Sequence, residues 1–97
     1  MRIDASRRAQ EYVRWRGSDL YVWFTPAPVS SAYVEQRVST SRPEAVQFRR
    51  FEADGFAVQL DVDFEPPEVL TVRLGWPIRR LRVTGTGVAT VGSADGG

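Results

Sequence analysis

The chain has 97 residues, enough for one domain that buries about 65% of its unfolded surface and folds without covalent staples. Cysteine and histidine are both absent, which excludes disulfides, thiolate nucleophiles, the usual zinc and iron-sulfur ligands and the commonest general base near neutral pH. All 13 basic residues are arginine, and 12 acidic residues leave a formal net charge of +1, which gives no global drive toward nucleic acid.

Asp4 or Ser6 can cap a helix in which Ala5, Ala9, Tyr12 and Val13 form one buried stripe. Gly17 supplies its stop, with Arg14 and Arg16 near the negative end of the helix dipole. Leu20 to Phe24 is a continuous apolar run of strand formers, read as a central strand covered on both sides. Thr25-Pro26-Ala27-Pro28 breaks it. A second strand follows, in which Ala32, Val34 and Val38 alternate with Tyr33, Glu35 and Arg37. Ser39 to Pro43 is a polar loop in which Pro43 and Glu44 could start a single helical turn. Gln47 to Ala53 and Phe56 to Phe64 form an antiparallel hairpin about Asp54-Gly55, a pair suited to a type I′ turn because both central residues there need positive φ. In the Phe56 strand the even positions are apolar and the odd ones small, amide or acidic, the period of a half-buried strand. Glu65-Pro66-Pro67-Glu68 connects it to a strand with Leu70, Val72 and Leu74 on one side and Thr71 and Arg73 on the other. The segment Trp76 to Val83 shifts phase, which a bend or bulge near Arg79 and Arg80 would absorb. Glycine-rich Ser93 to Gly97 reads as a mobile tail.

Charge is unevenly distributed. Met1 to Arg16 holds five arginines against Asp4 and Glu11, whereas Glu52 to Glu68 holds six acidic residues and no basic one. Both stretches fit the solvated faces of a helix and a sheet.

Asp61, Asp63 and Glu65 would project from one strand face, as a cation site needs, but same-face neighbours on a strand lie about 7 Å apart. Arg73, Arg79, Arg80 and Arg82 could bind phosphate, with Trp76 beside them to stack a base. Gly85-Thr86-Gly87 begins like a dinucleotide loop, but Thr90 stands where the third glycine belongs and no helix pattern follows. Ser30, Ser31, Ser39, Thr40 and Ser41 offer hydroxyls with neither histidine nor lysine to activate them. Covalent catalysis is not expected.

A short opening strand residue and helix, Ile3-Asp4-Ala5 through Ala9, Tyr12 and Val13 to Gly17, then the Leu20 to Phe24 strand, then Asp54-Gly55-Phe56-Ala57-Val58-Gln59-Leu60-Asp61, resembles the HesB or A-type iron-sulfur assembly family in the order of its elements. The resemblance implies that family's fold. Its first cysteine would fall near Ser30 or Ser31, and its Cys-x-Cys pair would correspond to Thr84-Gly85-Thr86-Gly87, where hydroxyls take the place of thiols. Hydroxyls do not hold such clusters as thiolates do, so the resemblance implies a shared scaffold without the cluster chemistry.

The expectation is an α+β fold: an N-terminal helix packed on a twisted, mainly antiparallel sheet or partly rolled sandwich of about five to seven strands. Its core comprises Leu20, Val22, Phe24, Phe56, Val58, Leu60, Val62, Leu70, Val72 and Leu74. One domain spans residues 1–92 and a tail 93–97. No apolar run reaches the roughly 18 residues of a membrane span and Met1 to Arg16 is unlike a signal peptide, so a soluble, cytoplasmic protein without membrane contact is expected. The functional expectation is a non-enzymatic accessory or interaction module, free of metal and cofactor, whose partner is a protein, a second copy of itself included. The alternative is a binder of nucleic acid or a small anion through Arg73, Trp76, Arg79, Arg80 and Arg82.

Overall fold

A computed structural model describes residues 1–27, 30–75 and 79–86, with the backbone alone at 27, 30–34 and 86. Trp76 to Ile78, Gly87 and the expected tail lie outside the described residues.

Ser6 decides where the helix begins. Its backbone is extended and its hydroxyl accepts from the Ala9 N–H at 3.2 Å, satisfying one of the donors that a helix start leaves without a partner. Helix α1 (Arg7–Trp15) follows and buries Ala9 and Val13 completely. Gly17 ends it at φ 124°, and Ser18, also at positive φ, donates its N–H to the Val13 carbonyl at 2.9 Å. Asp4 and Ala5, expected as cap and helical stripe, belong instead to a strand, β1 (Arg2–Ala5). Arg2 and Asp4 alternate with Ile3 and Ala5, but four residues are too few for a period of two to stand out.

Strand β2 (Asp19–Ala27) runs through Pro26, so the expected break at Thr25 is not observed. The Ser18 carbonyl accepts from Ala57 N–H at 3.0 Å, which turns the peptide groups of the even residues of β2 toward β5 (Ala57–Asp61). The β2–β5 pairing ends at Val22. The ring nitrogen of Pro26 therefore faces a side where no ladder bond is needed. Its other neighbour, β3 (Ser30–Ser39), pairs antiparallel, with a register shift between Pro26 and Ala27. Glu44 and Ala45 make a turn rather than a helical one, with Ala45 at φ 61°.

Strand β4 (Phe48–Glu52) pairs antiparallel with β5 as expected, from Phe48 opposite Asp61 to Glu52 opposite Ala57. Of the two turn residues only Gly55 has positive φ, at 82°, so the turn is not type I′, which requires it at both. Phe56, Val58 and Leu60 are buried, but so are Ala57 and Asp61; β5 is an interior strand covered on both faces. It also ends sooner than the alternation implies. The Asp61 carboxylate accepts from the Asp63 N–H at 3.0 Å and the Phe64 N–H donates to the Asp61 carbonyl at 3.2 Å, a side-chain turn of the kind aspartate favours. Val62, expected in the core, is consequently 42% exposed. Phe64 returns to lie against Phe24, ring centroids 4.3 Å apart.

Strand β6 (Val69–Leu74) buries Leu70 and Val72, and β7 (Leu81–Thr86) buries Val83. Arg79 and Arg80 belong to the connection between these strands, closed by Gly75 N–H to Arg80 C=O at 2.8 Å. The strands form two sheets, a three-stranded one ordered β1-β6-β7 and a four-stranded one ordered β3-β2-β5-β4. Pairing is antiparallel except for β1 with β6 and β2 with β5. The core draws Leu20, Val22, Val58 and Leu60 from one sheet, Leu70, Val72 and Val83 from the other, and Ala9 and Val13 from α1. Phe24 and Leu74 pack on its margin. Tyr21 is also buried. Among the described residues, no helix is long and apolar enough to cross a membrane.

Candidate functional site

The arginines singled out in the sequence part company on the three-stranded sheet. Cross-strand pairing sets Arg73 opposite Arg82 and Val72 opposite Val83, and successive side chains on a strand leave opposite faces. Arg73 and Arg82 therefore share the face turned away from the core. Arg73 is held there by β1: its guanidinium donates to the Asp4 carbonyl at 2.9 Å and contacts the Asp4 carboxylate at 3.3 Å. Asp4 thus offsets the charge of Arg73, which would otherwise stand uncompensated opposite Arg82 across the ladder. Arg80 and Arg82 are exposed. Trp76 lies outside the described residues.

Arg79 goes elsewhere. With Leu74 it lines a groove against α1, whose Arg8, Glu11, Tyr12 and Trp15 form the other wall, and which encloses about 200 Å³. Trp15 is 71% exposed, its ring 6.1 Å from that of Tyr12 and 5.7 Å from the Arg16 guanidinium. Glu11 pairs with Arg7 one turn back at 3.4 Å. The sequence does hold a sign of this wall. Arg8, Tyr12 and Trp15 follow i, i+4, i+7 spacing, a second stripe beside the one that buries Ala9 and Val13. Tyr12, expected in the buried stripe, is half-buried and belongs to this second one.

The acidic trio does not gather. Asp61 is buried and engaged with the Asp63 backbone, Asp63 lies in the turn, and Glu65 is beyond the strand end. Among the described residues no group of three or more acidic side chains is arranged to hold a metal ion. Two of the hydroxyls serve structure: Ser39 accepts from the Ser41 N–H at 2.9 Å and Thr40 from Arg16 Nε at 3.4 Å.

On the four-stranded sheet, the face away from the core carries Tyr21 and Phe48, rings 5.2 Å apart, beneath the Arg42 guanidinium. Arg50 on the same face bonds Glu52 and approaches Asp19 at 3.4 Å. The hydrogen bond that Arg50 donates to Glu52, and then the charge of Glu52, raise the Arg50 pKa above the ordinary arginine value. Arg50 is thus paired with acids of its own chain, whereas the described partners of Arg42 are aromatic rings. No family model, curated protein or solved structure matches the chain.

Proposed function

We propose that the chain is a non-enzymatic, cytoplasmic interaction module that receives an acidic protein segment, anchored by one apolar side chain, in the groove between α1 and the end of β6. The exposure of Trp15 at the groove lip carries this reading: a tryptophan left 71% open beside a concavity is the residue type that most often anchors protein interfaces. The groove, at about 200 Å³, is smaller than the roughly 300–1,000 Å³ of small-molecule sites and suits a single side chain. Its walls carry two arginines against one glutamate, which favours an acidic neighbour for that side chain. The scaffold we propose is a partly rolled α+β sandwich with HesB-like element order. The core shared by the two sheets, and the bond from Gln36 Nε2 to the Val83 carbonyl at 2.7 Å that ties β3 to β7, support it. In a scaffold without cysteine or histidine we propose no cluster and no catalysis.

The test is a random-peptide display selection on the immobilised chain. Sequences combining Asp or Glu with one Trp, Phe or Leu should enrich on the wild type, and Trp15→Ala should weaken the best peptide by at least about tenfold. Enrichment indifferent to Trp15 would overturn the proposal. The alternative, anion binding around Arg79 and Arg80, predicts retention on heparin at low salt that Arg79→Ala with Arg80→Ala abolishes. Elemental analysis of protein purified without a histidine tag addresses the cluster separately: stoichiometric iron would refute a cluster-free scaffold.

A further inference from the structure

Strand β4 leaves one side of its backbone without a neighbouring strand. It is the edge of the order β3-β2-β5-β4 among the described residues. Two bonds fix which of its groups face outward: Ala53 N–H donates to Phe56 C=O at 2.8 Å, and Val62 N–H donates to Gln47 C=O at 3.0 Å. Antiparallel strands exchange such bonds at every second residue pair. Arg49 and Phe51 therefore turn their peptide groups toward β5, while Phe48, Arg50 and Glu52 turn theirs away from it. An open row of this kind is a template for another strand.

The side chains select which strand. We propose that β4 pairs with β4 of a second copy, antiparallel, about a two-fold axis at Phe51. In that register the outward peptide groups of Arg50 and Glu52 exchange hydrogen bonds with those of the partner copy's Glu52 and Arg50. Each arginine then stands directly opposite a glutamate, on both sides of the axis, and Phe51 stands opposite its own copy. The neighbouring alignments are worse. An axis at Arg50 or at Arg49 sets two arginines face to face, and like charges directly opposite destabilise a ladder. The adjacent Arg49 and Arg50 also deter unrelated strands, as charges on edges do, whereas the Arg-Phe-Glu order from Arg50 to Glu52 complements itself. Attraction to one partner combined with repulsion of others gives specificity, and the partner so specified is this chain.

Sedimentation equilibrium on the full chain tests this. The wild type should pass with rising concentration from 10.9 kDa to twice that mass. Arg50→Glu and Glu52→Arg should each stay monomeric where the wild type is dimeric, because each sets like charges opposite. Mixed together they should form a heterodimer, since two acids at positions 50 and 52 of one strand then face two arginines at those positions of the other. Circular dichroism checks that each variant is folded. Arg50→Pro gives a second test, because it removes an N–H that β5 does not use and should abolish the dimer with the hairpin intact. Amide exchange supplies a residue-level readout: Arg50 and Glu52 should gain protection with concentration while Arg49 and Phe51 do not. A wild type that is monomeric up to about 1 mM, a Kd weaker than which is only about 4 kcal/mol of binding, would overturn the proposal. So would dimers in both single variants, failure of the mixture to associate, or a dimer that leaves the Arg50 and Glu52 amides unprotected.

Discussion

Gly17 and Ser18 carry the chain out of α1 at φ 124° and 71°, and the two positions call for opposite expectations. At Gly17 a Cβ would meet nothing within 4 Å, so Gly17→Ala tests backbone strain alone and should cost about 1–3 kcal/mol. Ser18 already bears the strain of a side chain in the left-handed region, so Ser18→Gly should be neutral or stabilising by a few tenths of a kcal/mol. Urea denaturation of both variants checks the pair; equal losses would show that positive φ does not govern the turn. Only Gly17 announces itself in the sequence, because serine is common in every kind of loop. Val62 illustrates a different blindness. Its place in the alternation puts it inside, yet the turn built on the Asp61 carboxylate ends the strand one residue earlier. A local side-chain bond outweighs the pattern there. Val58 is where pattern and structure agree, at 0% exposure. Val58→Asp should cost several kcal/mol by placing an unpaired carboxylate among apolar groups, and an unchanged melting temperature would count against the face assignment.

Helix α1 has nine residues, fewer than an isolated helix needs to persist in water. Its stability therefore comes from the cap and from burial of Ala9 and Val13. Ser6→Ala removes the bond to the Ala9 N–H and should cost about 1 kcal/mol, read as a fall in melting temperature of roughly 4–8 °C. Loss of α1 signal by amide exchange with little change in β2 would instead mark the helix as a separately melting unit. Elements of this kind were legible where local signals agreed: the Ser6 cap with the Gly17 stop, the Asp54-Gly55 hairpin, and the alternation of Leu70, Val72 and Leu74. Strand β1 was not, because its parallel partner lies more than sixty residues away, Arg2 opposite Val69, and nothing local records such pairing. The passage of β2 through Pro26 was hidden for a similar reason, since it depends on where β5 ends. The candidate groove depends on both kinds of information. Its helical wall is written in the spacing of Arg8, Tyr12 and Trp15, whereas the meeting of that wall with Leu74 and Arg79 is a matter of topology. The arginines near one another in sequence are divided by the same logic, Arg73 and Arg82 on the outer face and Arg79 beside the helix.

At the scale of the molecule the question is whether the two sheets unfold as one. Among the described residues no pairing joins them into a single ladder; they meet through the shared apolar cluster and through Gln36, whose amide donates to the Val83 carbonyl. Neither sheet has a face that it could bury by itself. Leu70, Val72 and Val83 need Leu20, Val22, Val58 and Leu60 above them, and α1 supplies only Ala9 and Val13. Separating the sheets would expose both apolar faces, at about 25 cal/mol for each Å² returned to water, so a state with one sheet intact has little to hold it together. We expect two-state unfolding in urea, with transitions by far-UV circular dichroism and by tryptophan fluorescence superimposed. Val72→Ala, which leaves a void at a fully buried site of the three-stranded sheet, should lower the protection of β5 amides as much as that of β6. Gln36→Leu separates the polar link from the apolar one. It leaves the Val83 carbonyl without its donor and should cost about 1–3 kcal/mol, with the two probes still coincident because the shared cluster persists. A Val72→Ala protein in which β6 and β7 exchange freely while β2 and β5 stay protected would show that the four-stranded sheet stands alone and that the core is not a single cooperative unit.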